Sequence, residues 1–104
     1  MIVRMAFFRG TIHPGHEQAF EAFVLERLKP MWLRFPGLRD LSIQFERARD
    51  DGAPPIPLVL SMRFDDWGAL QHALADPIRM ESRAVTAELL TLFDGKVEHH
   101  VFEA

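Results

Sequence analysis

The sequence contains no cysteine, no tyrosine and no asparagine. Without cysteine there is no disulfide, no thiolate nucleophile, no zinc ribbon and no iron–sulfur cluster. A dominant charge is missing too. Twelve Lys and Arg against 15 Asp and Glu leave a net charge of −3, with no basic run above the background, so the electrostatic footprint of a nucleic-acid binder is absent. No apolar stretch approaches the roughly 20 residues needed to span a bilayer. Met1 to Met5 runs directly into a strand-like segment, without the charged, apolar and small-residue blocks of a secretion signal. The expectation is a cytoplasmic protein with no membrane partner. No Gly-rich phosphate loop, flavin fingerprint or Ser-His-Asp pattern occurs, and no cofactor is expected.

Large apolar side chains are abundant. Of the 104 residues 48% are hydrophobic, with nine Phe and two Trp. A chain of this length is one domain, and it buries only about two-thirds of the surface its unfolded form exposes. The surplus calls for a second burial event, either dimerisation or enclosure of a ligand.

Residues 2–12 are rich in β-branched and aromatic types and read as a strand. His13-Pro14-Gly15-His16 breaks the pattern. Residues 16–35 carry a helical stripe through Phe20, Phe23, Val24, Leu28, Met31, Trp32 and Phe35. Pro30 removes one ladder hydrogen bond and predicts a kink near residues 26–30. Pro36-Gly37 ends the helix. Residues 38–48 alternate as a strand, with Leu41, Ile43 and Phe45 opposite Ser42, Gln44 and Glu46. Residues 50–55 form a long, mobile connection. Residues 57–64 are a third strand, with Leu58, Leu60, Met62 and Phe64 on one face and Val59, Ser61 and Arg63 on the other. Asp65 or Asp66 caps a helix over 67–75 with Trp67, Leu70, Ala73 and Leu74 inward. Asp76-Pro77 starts another that runs to about Phe93, where Asp94-Gly95 stops it. Residues 96–103 are the last strand.

The order is β, α, β, β, α, β. Two βαβ-like halves sharing a hairpin make a ferredoxin-like α+β fold: a four-stranded antiparallel sheet with helices on one face. Strand one is apolar on both parities, with Val3, Met5 and Phe7 on one and Ile2, Ala6 and Phe8 on the other. It therefore needs cover on both sides. A homodimer through sheet faces supplies that cover most simply.

The element order, the Pro14-Gly15-His16 turn before a Phe-rich helix, the Pro36-Gly37-Leu38 exit and the Phe64-Asp65-Asp66-Trp67…Leu70…Ala73-Leu74-Ala75-Asp76-Pro77 segment resemble the dimeric α+β barrel superfamily. The closest flavour is EthD-like and antibiotic-biosynthesis-monooxygenase-like proteins. The resemblance spans nearly the whole chain and implies two sheets meeting across a dimer axis. It also implies a cleft between each sheet and its helices, or inside the barrel. Family activities range from cofactor-independent oxygenation of activated aromatics to haem degradation, muconolactone isomerisation and small stress proteins, and fold analogy does not choose among them. The missing asparagine departs from the haem-degrading and quinone-forming members, which combine Asn with Trp and His or Arg.

Candidate site residues follow from parity. Ser42, Gln44, Glu46, Ser61 and Arg63 are expected to face away from the helices, with Arg4, Ala6, Phe8 and Gly10 as the matching row of strand one. Covered charges must pair, so Arg4 or Arg63 is expected to meet Glu46 or Glu98. That contact either fixes dimer register or clamps a ligand carboxylate or phenolate. His99 and His100 point to opposite faces. His100 is assigned to the chamber and the parity of Val97 and Val101 sends His99 to the core, although Phe102 allows the reverse. A chamber His is either a general base or a hydrogen-bonded interface residue. The candidate catalytic set is His100, Arg4 and Arg63; the candidate ligand-binding set is Phe8, Gln44, Glu46, Ser61, Trp32 and Phe102. Trp32 is either core or cleft mouth. Arg79, Met80 and Arg83 either gate a cleft or form a solvated face. His13 and His16 lack a third metal ligand nearby, and no metal is expected.

Three functions fit these residues. One is a homodimer that binds a small, mostly apolar or aromatic molecule. Another is a cofactor-independent monooxygenase or isomerase acting on an activated phenol or carbonyl. The third is a non-catalytic scaffolding or stress-related module.

Overall fold

The first strand sets the frame. Its run of Ile, Val and Phe favours the pleated conformation, and β1 extends over Ile2–Ile12. The computed structural model describes residues 1–104. β1 is followed by α1 (Glu17–Phe23), a π-helical turn (Val24–Leu28) and α2 (Lys29–Trp32). The hairpin strands are β2 (Asp40–Phe45) and β3 (Leu58–Phe64). Then come α3 (Trp67–Ala75), α4 (Ile78–Leu89), a single 3₁₀ turn (Leu90–Leu92) and β4 (Phe93–Glu103). The four strands form one sheet in the order β2-β3-β1-β4, with every neighbouring pair antiparallel.

The barrel in the expected fold class is not formed. β2 pairs only with β3 and β4 pairs only with β1, so the sheet is open with two free edges. Closure requires the outer strands to bond to each other. Here the helices instead cover one face of a twisted open sheet.

The core lies between that face and the helices. Ile2, Ala6 and Phe8 of β1 and Leu58, Leu60, Met62 and Phe64 of β3 pack against Phe20, Val24, Leu28, Trp32, Leu70, Ala73, Ile78 and Leu89. Trp67, expected inward, is 54% exposed. It occupies the first helical position after Asp66, whose carboxylate caps the helix by accepting from the Ala69 N–H at 2.8 Å.

Pro30 acts through a change of helix type. It has no N–H to offer the carbonyl four residues back. The rod widens ahead of it into the π turn, where the Lys29 N–H bonds to the Val24 carbonyl. Val24, Leu28 and Trp32 stay buried through the change.

Gly95 does not stop a helix. It lies inside β4, opposite Gly10 of β1. Gly10 has φ +148°, and a Cβ there would overlap the Asp94 carbonyl oxygen; a Cβ on Gly95 would overlap that of Arg9. The two backbones approach too closely for any side chain. The connection expected over residues 50–55 is held at its flanks. Glu46 meets Arg49 at 2.8 Å and accepts from the Ile56 N–H, while Arg47 meets Glu21 of α1 at 2.9 Å.

Gly10→Ala is expected to lower stability by about 1–3 kcal/mol from backbone strain alone, and by more as β4 is displaced. Asp66→Ala is expected to cost about 1 kcal/mol. Urea midpoints of the two variants should rank in that order, and a Gly10→Ala midpoint equal to wild type would refute the close approach.

Candidate functional site

Ala6 sits at the centre of the sheet, between Leu60 of β3 and His99 of β4. Its small side chain leaves room beneath the helices. Opposite it, α4 presents Arg79, Ser82, Arg83 and Thr86 at three- and four-residue spacing, hence along one stripe. The space between is a cavity of about 440 Å³, within the usual range of roughly 300–1,000 Å³ for small-molecule sites. Trp32, only 4% exposed, walls one end. Eight of the fourteen lining residues are hydrophobic, among them Phe8, Met62 and Leu90.

The polar lining carries charge of one sign. Arg4, Arg79 and Arg83 line the cavity together with His99, and no Asp or Glu joins them. None of the three arginines forms an ion pair or a side-chain hydrogen bond. The carboxylates of α4 are engaged elsewhere. Glu81 bonds to Arg34 and Glu88 to Arg27. The hydroxyls are engaged as well. Ser82 donates to the Arg79 carbonyl at 3.0 Å and Thr86 to the Ser82 carbonyl at 2.8 Å.

Two titratable groups of the sheet, Arg4 and His99, line this cavity, and on both of them loss of solvent acts ahead of the field. Burial, then the charge of Arg79, lowers Arg4 to about 10, so it remains cationic at neutral pH. His99 is lowered to about 4, first by partial loss of solvent and then by Arg4, Arg79, Arg83 and His100. The side chain keeps an exposed edge, yet it is neutral at pH 7.

The expected chamber residues are divided between the two sides of the sheet. Phe8, Arg4 and Trp32 line the cavity. Arg4 and Phe8 reach it because their row of β1 faces the helices, not away from them as parity first suggested. Register explains the reversal: Ile2, Arg4, Ala6 and Phe8 pair with Phe64, Met62, Leu60 and Leu58, the core row of β3. The open side instead carries Val3, Met5 and Phe7. There Arg63 stands opposite Val3, Ser61 opposite Met5, Gln44 opposite Val59, His100 opposite Met5 and Phe102 opposite Val3. His100 packs edge-on to Phe7 at 5.5 Å and stacks on Phe102 at 6.2 Å. Glu46 serves the loop. The expected pairing of Arg4 or Arg63 with Glu46 or Glu98 does not form, because Glu98 meets Arg9 at 2.9 Å and Glu46 meets Arg49. His13 meets Asp94 at 3.0 Å.

His99, Arg79 and Arg83 are the functional candidates that parity reasoning left out of the site. The signal for the first was present, since the parity of Val97 and Val101 sends His99 beneath the helices. The missing step was that the cavity also lies there.

Neither a protein-family model nor a curated protein sequence matches the chain. Solved structures do. An EthD family protein from Bacillus halodurans superposes with a TM-score of 0.75 at 21% identity, covering 100% of this chain and 99% of that one. SnoaB, a cofactor-independent oxygenase from Streptomyces nogalater, gives 0.63 at 22% identity, over 99% and 91%. A dimeric protein of unknown function with a ferredoxin-like fold from Bacteroides fragilis gives 0.69 at 10% identity, over 99% and 95%. The fold is that of EthD-like and antibiotic-biosynthesis-monooxygenase-like proteins. At these identities the likeness concerns fold.

Because folding depresses His99, the unfolded chain takes up a proton near pH 6.5 that the folded chain refuses until about 4. Its contribution to stability is whole above pH 6.5 and is lost as the pH falls toward 4. Wild type should therefore lose more stability than His99→Gln between pH 7 and pH 4. Equal losses in urea titrations of the two proteins would contradict the depressed histidine.

Proposed function

We propose that this chain binds a small, mostly apolar or aromatic molecule in the cavity between the sheet and its helices, and that it does so as a homodimer through open sheet faces. The observation that carries the binding reading is the partly open 440 Å³ cleft, lined mainly by apolar residues, with Trp32 and Phe8 in its wall. An apolar wall with a few convergent polar groups is the usual build of a small-molecule site. The dimer is supported by Met5, Phe7 and Val59, which lie half-buried on the open side, and by Phe102, which is 47% exposed. The Bacteroides fragilis neighbour of the same fold is described as dimeric.

A second reading is cofactor-independent oxygenation or isomerisation of an activated phenol or carbonyl. Two observations favour it: the likeness to SnoaB, and the presence of a neutral imidazole in one cavity with three guanidiniums. In this reading His99 takes the role first given to His100, accepting a proton while Arg4 holds the resulting anion. Binding stands ahead of it for a physical reason. An imidazole whose conjugate acid ionises near 4 is a weak base toward a phenol that ionises near 10.

The two tryptophans make binding measurable. Trp67 is exposed and outside the cavity, so Trp67→Phe leaves Trp32 as the only indole. Titration of this variant with a panel of phenols and fatty acids should give saturable changes in Trp32 emission. A flat response to every member would sink the binding reading. Consumption of a panel member by wild type and equally by His99→Ala would remove the proton-accepting role.

Sedimentation should give twice the 12.0 kDa chain mass, and Phe102→Glu, which places charge on the open side, should shift the population toward single subunits. Wild type that sediments as one subunit at micromolar concentration would end the dimer proposal.

A further inference from the structure

We infer that the cavity selects an organic carboxylate on an apolar or aromatic skeleton, with Arg4, Arg79 and Arg83 receiving the carboxylate. This deepens the binding reading and rests on it. The chain as a whole is acidic, at −3, yet three guanidiniums converge on one cavity that contains no carboxylate. Segregation of charge against the overall balance is costly. Arg79 and Arg83 are four apart on α4, where like charges repel, and Arg4 approaches them from the sheet. Arg4 and Arg79 are partly buried without partners, which is unfavourable. Arg83 adds its charge from the exposed rim, and the carboxylates of α4, Glu81 and Glu88, pair with Arg34 and Arg27 instead. The missing counter-charge is the ligand's.

The donors narrow its class. Guanidinium presents a planar fork of N–H groups that matches a carboxylate with two parallel hydrogen bonds. Eight hydrophobic residues in the same wall leave most of the ligand surface to an apolar body. A bare inorganic anion would leave that wall unused. The groups facing His99 are Arg4 from β1 and Arg79 and Arg83 from α4, with His100 next to it in the chain. A bound carboxylate offsets their field, so His99 should gain basicity on binding.

The test uses a matched pair of probes, 2-naphthoate and 2-naphthamide, which differ in charge and little in shape. Binding to Trp67→Phe protein is measured at pH 7.5 by Trp32 emission. The acid is expected to bind at least tenfold more tightly than the amide. Adding Arg4→Gln, Arg79→Gln or Arg83→Gln should each weaken the acid severalfold and leave the amide unchanged. Arg63→Gln, which removes an equal charge from the open side, should change neither. Equal affinity for acid and amide overturns the carboxylate assignment and leaves the binding reading intact. Binding of neither overturns both. Displacement of naphthoate by inorganic phosphate at equal concentration would also overturn the assignment. A second measurement does not depend on the naphthyl group. The His99 titration midpoint, followed by nitrogen NMR, should rise when benzoate is added and stay fixed with benzamide. A midpoint that ignores benzoate counts against the proposal.

Discussion

The antiparallel register of β1 against β3 decides which side of the sheet each residue of β1 faces. Side chains alternate along a strand, so a slip of one residue would exchange the two rows completely. In this register Ile2, Ala6 and Phe8 join the core row of β3, and Arg4 is carried with them beneath the helices. Arg4 lies there because Ile2, Ala6 and Phe8 do. Burial of Ile2 and Phe8 on the same row, each stabilising by roughly 1.5–3 kcal/mol, with the small Ala6 between them, outweighs the partial desolvation of one guanidinium. The cavity, the unpaired cation and the depressed histidine are consequences of that one pairing.

The helix layer completes the cavity through α4 and the rod that contains Pro30. In α4 buried Ile78 and Leu89 anchor the two ends in the core, and Arg79 and Arg83 stand in the cavity wall between them. The anchors seal the core and the two cations are left over the small side chain of Ala6. The π turn before Pro30 keeps Val24, Leu28 and Trp32 directed inward across a break in the α-helical ladder. The residue that disrupts the helix thus lies beside the indole that closes the cavity. Ser82 and Thr86 could have offered hydroxyls to a ligand, but both donate to their own helix. The side-chain donors in the cavity wall without a partner are then the guanidiniums and the imidazole.

Most of the fold was legible in the sequence, because strong punctuation marks its joints. The expected limits of β1 and α3 coincide with those observed, and Asp66 caps as its position suggested. β4 begins earlier than expected, since Asp94-Gly95 looks like a helix stop and works as a strand position facing Gly10. The parity of β1 was harder to read. Its first seven residues are apolar on both rows, and a charged Arg4 argues by itself for the open side. The far end of the strand carried the answer: one row continues through Gly10 to Ile12, the other through Arg9 to Thr11. A long row read to its end decides what its first half leaves ambiguous. Closure into a barrel was not legible at all, because it concerns whether two edge strands meet, and no local pattern reports that.

The sheet separates two chemistries by the thickness of one strand layer. Beneath the helices, Arg4 and His99 share a cavity in which every charged lining group is cationic. On the open side, charges are paired, as Arg9 is with Glu98, or stand apart, as Arg63 does, and His100 is held between Phe7 and Phe102. Adjacent histidines therefore meet opposite conditions. His99 is held neutral first by partial loss of solvent and then by the positive field of Arg4, Arg79, Arg83 and His100. A neutral imidazole beside unpaired guanidiniums remains a hydrogen-bonding group. On the carboxylate proposal an anion in the cavity would make it a stronger base, and by the reciprocity of linkage protonation of His99 would in turn favour the anion.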